Sequence, residues 1–309
     1  MLVIRLADFS DTYKYCMLIN LRMENVVGVD LGGTSIKAAL VAKKGKIIKK
    51  CETSTEAKKG TKTVINNIIS AINEVKSGKI SGIGIGSPGP MDYKKGIITN
   101  PVNLPFRNVP LKKIIQKKFS LQVFLDNDAN CFALGEAIFG AGKKYQNVVG
   151  ITLGTGVGGG VIIDKKIYHG RGNAAELGHM TIKFDGLKAR SRNNGDIEEY
   201  VAARGVSRIF GGSDPYSIYN LALKGNKKAV KTFEEIGHYL GIGLANIIYA
   251  FDPDIIIVGG KISNSWKFFS KAMYKSVKER YFANPCSIVK SRLKDAGILG
   301  AAALLLKDS

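Results

Sequence analysis

Residues 26–41 read VVGVDLGGTSIKAALV, and residues 148–163 read VVGITLGTGVGGGVII. In each, a β-branched or apolar run meets a tip of glycine and threonine, then returns as a second apolar run. Such runs are strand signals, and a short glycine-bearing tip between two of them makes a hairpin. Val26–Asp30 and Lys37–Val41 form the first expected pair, Val148–Leu153 and Gly160–Ile163 the second. Asp30-Leu31-Gly32-Gly33-Thr34 and Thr152-Leu153-Gly154-Thr155-Gly156 are thus a faint internal repeat. Two similar lobes facing each other across a cleft would aim both tips at one ligand.

Outward from these hairpins, strands and helices alternate. Val64, Ile65, Ile68, Ile69, Ile72 and Val75 share one helical face. A short strand, Ile83–Ile85, ends at Gly86-Ser87-Pro88-Gly89-Pro90, and another ends near Asp126 ahead of a helix from Asn130 to Phe139. Later, Val230, Phe233, Ile236, Leu240, Leu244 and Ile247 keep helical spacing, as do Trp266, Phe269, Met273 and Val277. Between them Ile255–Val258 reads as a buried strand closed by Gly259-Gly260, and an Ala/Leu-rich helix spans Gly300–Leu306. The fold class is α/β.

The chain has 309 residues, 45% of them hydrophobic, and no run approaches the roughly 18 apolar residues of a membrane span. Residues 1–22 are interrupted by Arg5, Asp8, Asp11 and Lys14 and read as an extension rather than a signal peptide. Four scattered cysteines, Cys16, Cys51, Cys131 and Cys286, form no CxxC pair, which points to a reducing, cytoplasmic setting. The net charge of +21 is spread through the chain without an RNA- or DNA-binding motif, so it reads as a lysine-rich surface that favours anionic nucleotides. No specific nucleic-acid partner and no membrane partner is expected.

Glycine lets backbone N–H groups approach phosphate oxygens, and threonine adds a hydroxyl donor. A neighbouring aspartate can hold Mg²⁺ through water. Asp30, Gly32, Gly33 and Thr34 supply those parts, against the plainer reading of an ordinary Gly-Gly hairpin. Gly154, Thr155 and Gly156 begin a formal GxGxxG, but a dinucleotide site needs a helix there, and Gly160–Ile163 reads as a strand. The loop is therefore a hairpin phosphate loop. In Asp126-Asn127-Asp128-Ala129-Asn130, Asp128 could be an N-cap. It could equally take the proton of an alcohol during phosphoryl transfer. Asn173–His179, with Glu198 some twenty residues later, has the carboxylates and amides that pair with polyol hydroxyls; loop roles for Glu176 and His179 are the alternative. His169 and His238 carry no assignment.

Together these residues resemble the ROK family of repressors and sugar kinases, from about Val26 to Leu306. The motifs run in family order: Asp30–Thr34, Ser87–Pro90, Asn100–Pro105, Asp126–Asn130, Gly154–Gly160, Glu176–His179, Asp252–Asp254 with Gly259-Gly260, and Ala296–Ala302. The resemblance implies an actin-like ATPase (ribonuclease H-like) fold, with an N-terminal lobe of 23–128 plus 296–309, a C-terminal lobe of 129–295, and an active-site cleft between them. It implies an ATP- and Mg²⁺-dependent hexose kinase acting on a 6-hydroxyl, most readily that of glucose. Asp128 then matches the catalytic base, and Asn103, Asn127, Glu176, His179 and Glu198 the sugar-contacting positions. Asp30 matches the Mg²⁺ position, Gly32–Thr34 and Gly154–Gly156 the phosphate loops, and Gly259 and Gly260 the adenosine site. A homodimer is implied on the same footing.

One departure stands out. The family commonly holds a structural zinc with a histidine and three cysteines, whose positions here are His179, Ala189, Ser191 and Asp196. One imidazole and one carboxylate do not make such a site, so no zinc is expected. Either a looser loop around Glu198 or a pairing of Asp196 with Arg190 or Arg192 should replace it. Alternative readings are an N-acetylmannosamine, N-acetylglucosamine or fructose kinase, polyphosphate as donor, or a regulator or sensor without catalysis. DNA-binding relatives carry an added winged helix-turn-helix, and the roughly 25 residues before Val26 are too few for one.

Overall fold

In the computed structural model, residues 25–189 and 191–305 are described; the expected extension 1–22, Arg190 and Leu306 lie outside the described residues. The described chain falls into two compact units, one up to Cys131 and again from Gly297 on, the other Phe132–Ala296.

The first unit begins with β1 (Asn25–Leu31), β2 (Ser35–Val41) and β3 (Ile47–Ser54), an antiparallel meander. Helix α1 (Thr61–Val75) follows, burying Val64, Ile68, Ile72 and Val75 as their spacing predicts. β4 (Ile80–Ser87) then pairs parallel with β1. After the small ribbon β5 (Met91–Asp92) and β6 (Ile97–Ile98) come α2 (Leu111–Phe119), β7 (Gln122–Asn127) and α3 (Asp128–Phe139). The sheet order is β3-β2-β1-β4-β7. Its core gathers Val27, Val29, Leu31, Ile36, Leu40, Ile68, Ile83, Ile85 and Phe106.

The second unit repeats that plan. β8 (Val148–Leu153), β9 (Val157–Ile163) and β10 (Lys166–Ile167) form the meander. Helices α4 (Ile197–Val201), α5 (Ala203–Phe210), α6 (Pro215–Leu223) and α7 (Lys227–Phe251) lead to β11 (Ile255–Gly259), which pairs parallel with β8. After α8 (Trp266–Arg280), β12 (Ser287–Lys290) closes the order β10-β9-β8-β11-β12. The faint sequence repeat is therefore a repeat of topology. Phe233, Ile236, Leu240 and Leu244 of α7 pack with Phe269 and Met273 of α8 and with Ile256 and Val258 of the sheet.

Several element bounds shift: α3 begins at Asp128, not Asn130, and β4 extends over Ile80–Ser87. β9 begins at Val157, not Gly160, because its glycines carry a close backbone approach: a Cβ on Gly159 would strike the Ala175 carbonyl. The last helix, α9 (Ala296–Ala303), starts a turn earlier than Gly300 and ends before Leu304. It lies so near the first sheet that a Cβ on Gly28 or Gly84 would collide with the carbonyl oxygens of Ile298 and Ala301. Among the described residues no helix is long and apolar enough to cross a membrane.

Candidate functional site

In the first unit the β1–β2 tip is drawn tight by Gly32 N–H donating to Ser35 O at 2.9 Å. Thr55, at the end of β3, braces the same tip twice: its hydroxyl donates to Gly32 O at 2.6 Å and its N–H to Thr34 O at 2.9 Å. Gly33 is glycine for a local reason, since a Cβ there would sit 2.7 Å from the Cβ of Asn103. The structure thus seats the candidate phosphate tip against one candidate sugar residue. Thr34 and Asn103 are exposed. Asp30, half-buried at the end of β1, turns its carboxylate towards the first turn of α9, where a Cβ on Gly297 would lie 3.2 Å from Oδ2.

The β7–α3 junction resolves the capping question. Asn127, not Asp128, caps α3: its Oδ1 accepts from Ala129 N–H at 2.8 Å and Asn130 N–H at 3.3 Å. Asp126 is buried and holds the junction from beneath, its Oδ1 accepting from Asn127 N–H at 2.8 Å and Asn130 Nδ2 at 2.9 Å. Asp128, the first residue of α3, is half-buried, and its Oδ1 accepts from Ala129 N–H at 2.9 Å. An amide that spends its oxygen on the cap still has its NH₂ to offer a hydroxyl.

In the second unit, Gly154 N–H closes the β8–β9 tip onto Gly156 O at 2.9 Å, and Gly154 O accepts from Ala203 N–H at 2.9 Å. Glu198, on α4, reaches this tip: its Oε2 accepts from Val157 N–H at 2.9 Å and fills the space a Cβ on Gly156 would need. Glu176 and His179 stand at the ends of a single 3₁₀ turn that packs on β9 through Gly178, whose Cβ would strike Val157 O. Val157 is therefore touched from both sides, so Glu198 and the 3₁₀ turn converge on the second phosphate tip.

Three of the four zinc-pattern positions, His179, Ser191 and Asp196, come together as a hydrogen-bond cluster. Asp196 Oδ2 accepts from Ser191 Oγ at 2.6 Å and lies 3.2 Å from His179 Nδ1. Ala189, at the fourth position, is buried and has only a methyl group to offer. An imidazole, a carboxylate, a hydroxyl and a methyl are a poor donor set for tetrahedral zinc. Of the two arginines expected to pair with Asp196, Arg192 does not, since the carboxylate turns to His179 and Ser191; Arg190 lies outside the described residues. The loop is also tied by backbone bonds, Ile197 N–H to Met180 O at 3.0 Å and Ile182 N–H to Gly195 O at 2.8 Å. Among the described residues no group of three or more His, Cys, Asp or Glu side chains is placed to hold a metal.

A cavity of about 470 Å³ opens beside Gly154 and Thr155, lined further by Asp214, Tyr216, Tyr219, Lys261 and Asn264. Asp214 caps α6, accepting from Tyr216 and Ser217 N–H, and the Ser217 hydroxyl holds its carboxyl below the ordinary range. None of these residues carries a sequence signal beyond the Asp-Pro start of α6; tertiary packing alone gathers them. Gly259 and Gly260 precede Lys261 of the cavity lining and do not themselves line it. A Cβ on Gly259 would enter the Phe132 ring, and Gly260, at φ +82°, presses on the backbone of Leu153.

The ROK family pattern matches residues 26–308. A glucokinase of Thermotoga maritima is 35% identical, over 91% of this chain and 96% of its own length. A xylose repressor of Caldicellulosiruptor bescii is 30% identical, over 94% of this chain and 80% of its own. Among solved structures, a ROK family glucokinase from Streptomyces griseus in complex with glucose and AMPPNP superposes with a TM-score of 0.80 at 32% identity, covering 91% of this chain and 99% of that one.

Proposed function

This chain belongs to the ROK family, with its actin-like ATPase fold, and we propose that it is an ATP-dependent hexose kinase acting on the 6-hydroxyl of glucose. The observation that carries the catalytic assignment is the β7–α3 junction: the capping duty that would explain Asp128 away belongs to Asn127.

Asp128 accepts the proton of the 6-hydroxyl as that oxygen attacks the γ-phosphorus of ATP. One P–O bond forms to the sugar, the P–O bond to ADP breaks, and the proton rests on the carboxylate. Asn103, Asn127, Glu176, His179 and Glu198 hold the remaining hydroxyls. The tips Gly32–Thr34 and Gly154–Gly156 offer the backbone N–H groups of Gly33, Thr34, Thr155 and Gly156 to the phosphates, those of Gly32 and Gly154 being spent on closing the turns. The cavity at Tyr216, Tyr219 and Lys261 takes the adenosine, apolar rings against the base. The half-buried Asp30 carboxylate is a hard oxygen donor suited to Mg²⁺ through water, and the ion when bound neutralises phosphate charge. The protein works in the cytoplasm, as a homodimer.

The test is a coupled ADP-release assay over glucose, mannose, fructose and the N-acetylhexosamines. Glucose giving the highest kcat/KM supports the reading. A preference for an N-acetylhexosamine or fructose would move the acceptor and keep the kinase, while folded protein with no ADP release on any sugar would remove the enzyme.

A further inference from the structure

We infer that Asp196 is a positioning residue that fixes His179 as the Nδ1–H tautomer, so that Nε2 accepts a hydrogen bond from a sugar hydroxyl instead of donating one. This rests on the kinase reading for the identity of the hydroxyl, but the tautomer itself rests on geometry alone.

Asp196 occupies the N-cap position of α4, where an aspartate ordinarily accepts N–H groups of the first turn; its side chain makes no such bond here. It is only 1% exposed, and burying a carboxylate is costly unless donors meet it. The two donors both fall on Oδ2: the Ser191 hydroxyl at 2.6 Å and His179 Nδ1 at 3.2 Å. Among the described residues, the buried Oδ1 has no partner. Capping and solvation are thus both given up for two contacts, one with the Ser191 hydroxyl and one with the His179 ring.

An ionised carboxylate only accepts, so the proton between Asp196 and a neutral imidazole must sit on Nδ1. The other ring nitrogen then carries a lone pair. The His179 side chain is 45% exposed while Asp196 is sealed, which leaves Nε2 as the outward edge. Beside it stands Glu176, with Oε2 at 3.9 Å from Nε2, too far for a hydrogen bond between them. Two acceptors therefore stand side by side on one 3₁₀ turn. They suit two hydroxyls that each donate, and a fluorine or carbonyl oxygen in that place would meet lone pairs.

The test uses the unliganded, full-length protein labelled with ¹⁵N-histidine, at about pH 8, above the usual imidazole range. The chain has three histidines, His169, His179 and His238, and a His179→Gln sample identifies the resonances of interest. The expected spectrum has a protonated Nδ1 and an unprotonated Nε2 for His179; a protonated Nε2 overturns the inference. Asp196→Ala should move His179 to the Nε2–H form and raise the sugar KM about tenfold, the loss of one well-placed hydrogen bond, while the ATP KM stays within about twofold. An unchanged tautomer in a folded Asp196→Ala protein also overturns it. Should that variant fail to fold, the wild-type spectrum decides. Since the spectrum needs no turnover, failure of the kinase reading shows separately, as no hexose being phosphorylated.

Discussion

Replacing Gly156 by alanine should be costly only while Glu198 is present. Gly156 does not adopt a left-handed φ, so an alanine strains no backbone; the obstacle is the Glu198 carboxylate, whose Oε2 occupies the Cβ position. That oxygen is the acceptor for Val157 N–H at 2.9 Å. A hydrogen bond to a charged group contributes about 1.5–3 kcal/mol, and Gly156→Ala must displace it. In a Glu198→Ala background nothing remains to displace, and the same substitution should cost less than about 0.5 kcal/mol. The double-mutant cycle therefore predicts a coupling of about 1–2.5 kcal/mol, read from urea denaturation midpoints. Because the contact also shapes the second phosphate tip, AMPPNP affinity without sugar should weaken about tenfold in Gly156→Ala, measured by calorimetry. Equal costs of Gly156→Ala in both backgrounds would refute the claim that Glu198 braces the tip.

Three other outcomes follow from the same geometry. Asp128→Asn should lower kcat by roughly 10²–10⁴-fold with little change in melting temperature, since the asparagine keeps an oxygen for Ala129 N–H and the cap at Asn127 stays; a near-normal kcat would remove Asp128 as base. Asn127→Ala should cost about 1 kcal/mol in denaturant melts by loss of that cap, and raise the sugar KM as well. A KM change without a stability change would mean that the cap contributes nothing. For Cys286, burial first and the Asp252 charge next push the thiol up to about 11. Its nucleophilic thiolate appears only as pH climbs toward that value, so iodoacetamide labelling mapped by mass spectrometry should be slow at about pH 8 and accelerate near pH 11. Rapid labelling at the lower pH would contradict the burial argument.

Much of the fold was legible because its signals are local. Apolar runs ending in glycine-bearing tips marked β1–β2 and β8–β9, and helical spacing marked α1, α7 and α8. β3 escaped notice because, in Ile47–Ser54, only Cys51 is buried: an edge strand with lysines facing out lacks the alternating pattern. The short helices α4 to α6 were missed for a related reason, being too brief to show a periodic stripe. At the site, residue types and spacing picked out Asp128, Glu176, His179 and Glu198, but not which partner each would take. Whether Asn127 or Asp128 caps a helix depends on side-chain rotamers, and both residues suit the role. That Asp196 meets His179 depends on the 3₁₀ turn packing on β9 through Gly178. The cavity joins separate segments at Gly154, Ala203, Asp214, Phe233 and Lys261, which no local pattern can foretell.

The most direct measurement is a two-dimensional ¹H–³¹P spectrum of the product formed from glucose, ATP and Mg²⁺ by the wild-type chain. Phosphoryl transfer by way of Asp128 predicts one new phosphomonoester, its phosphorus coupled to the two protons on carbon 6, appearing in step with ADP. Phosphate attached at another carbon, or only inorganic phosphate released from ATP, would contradict it.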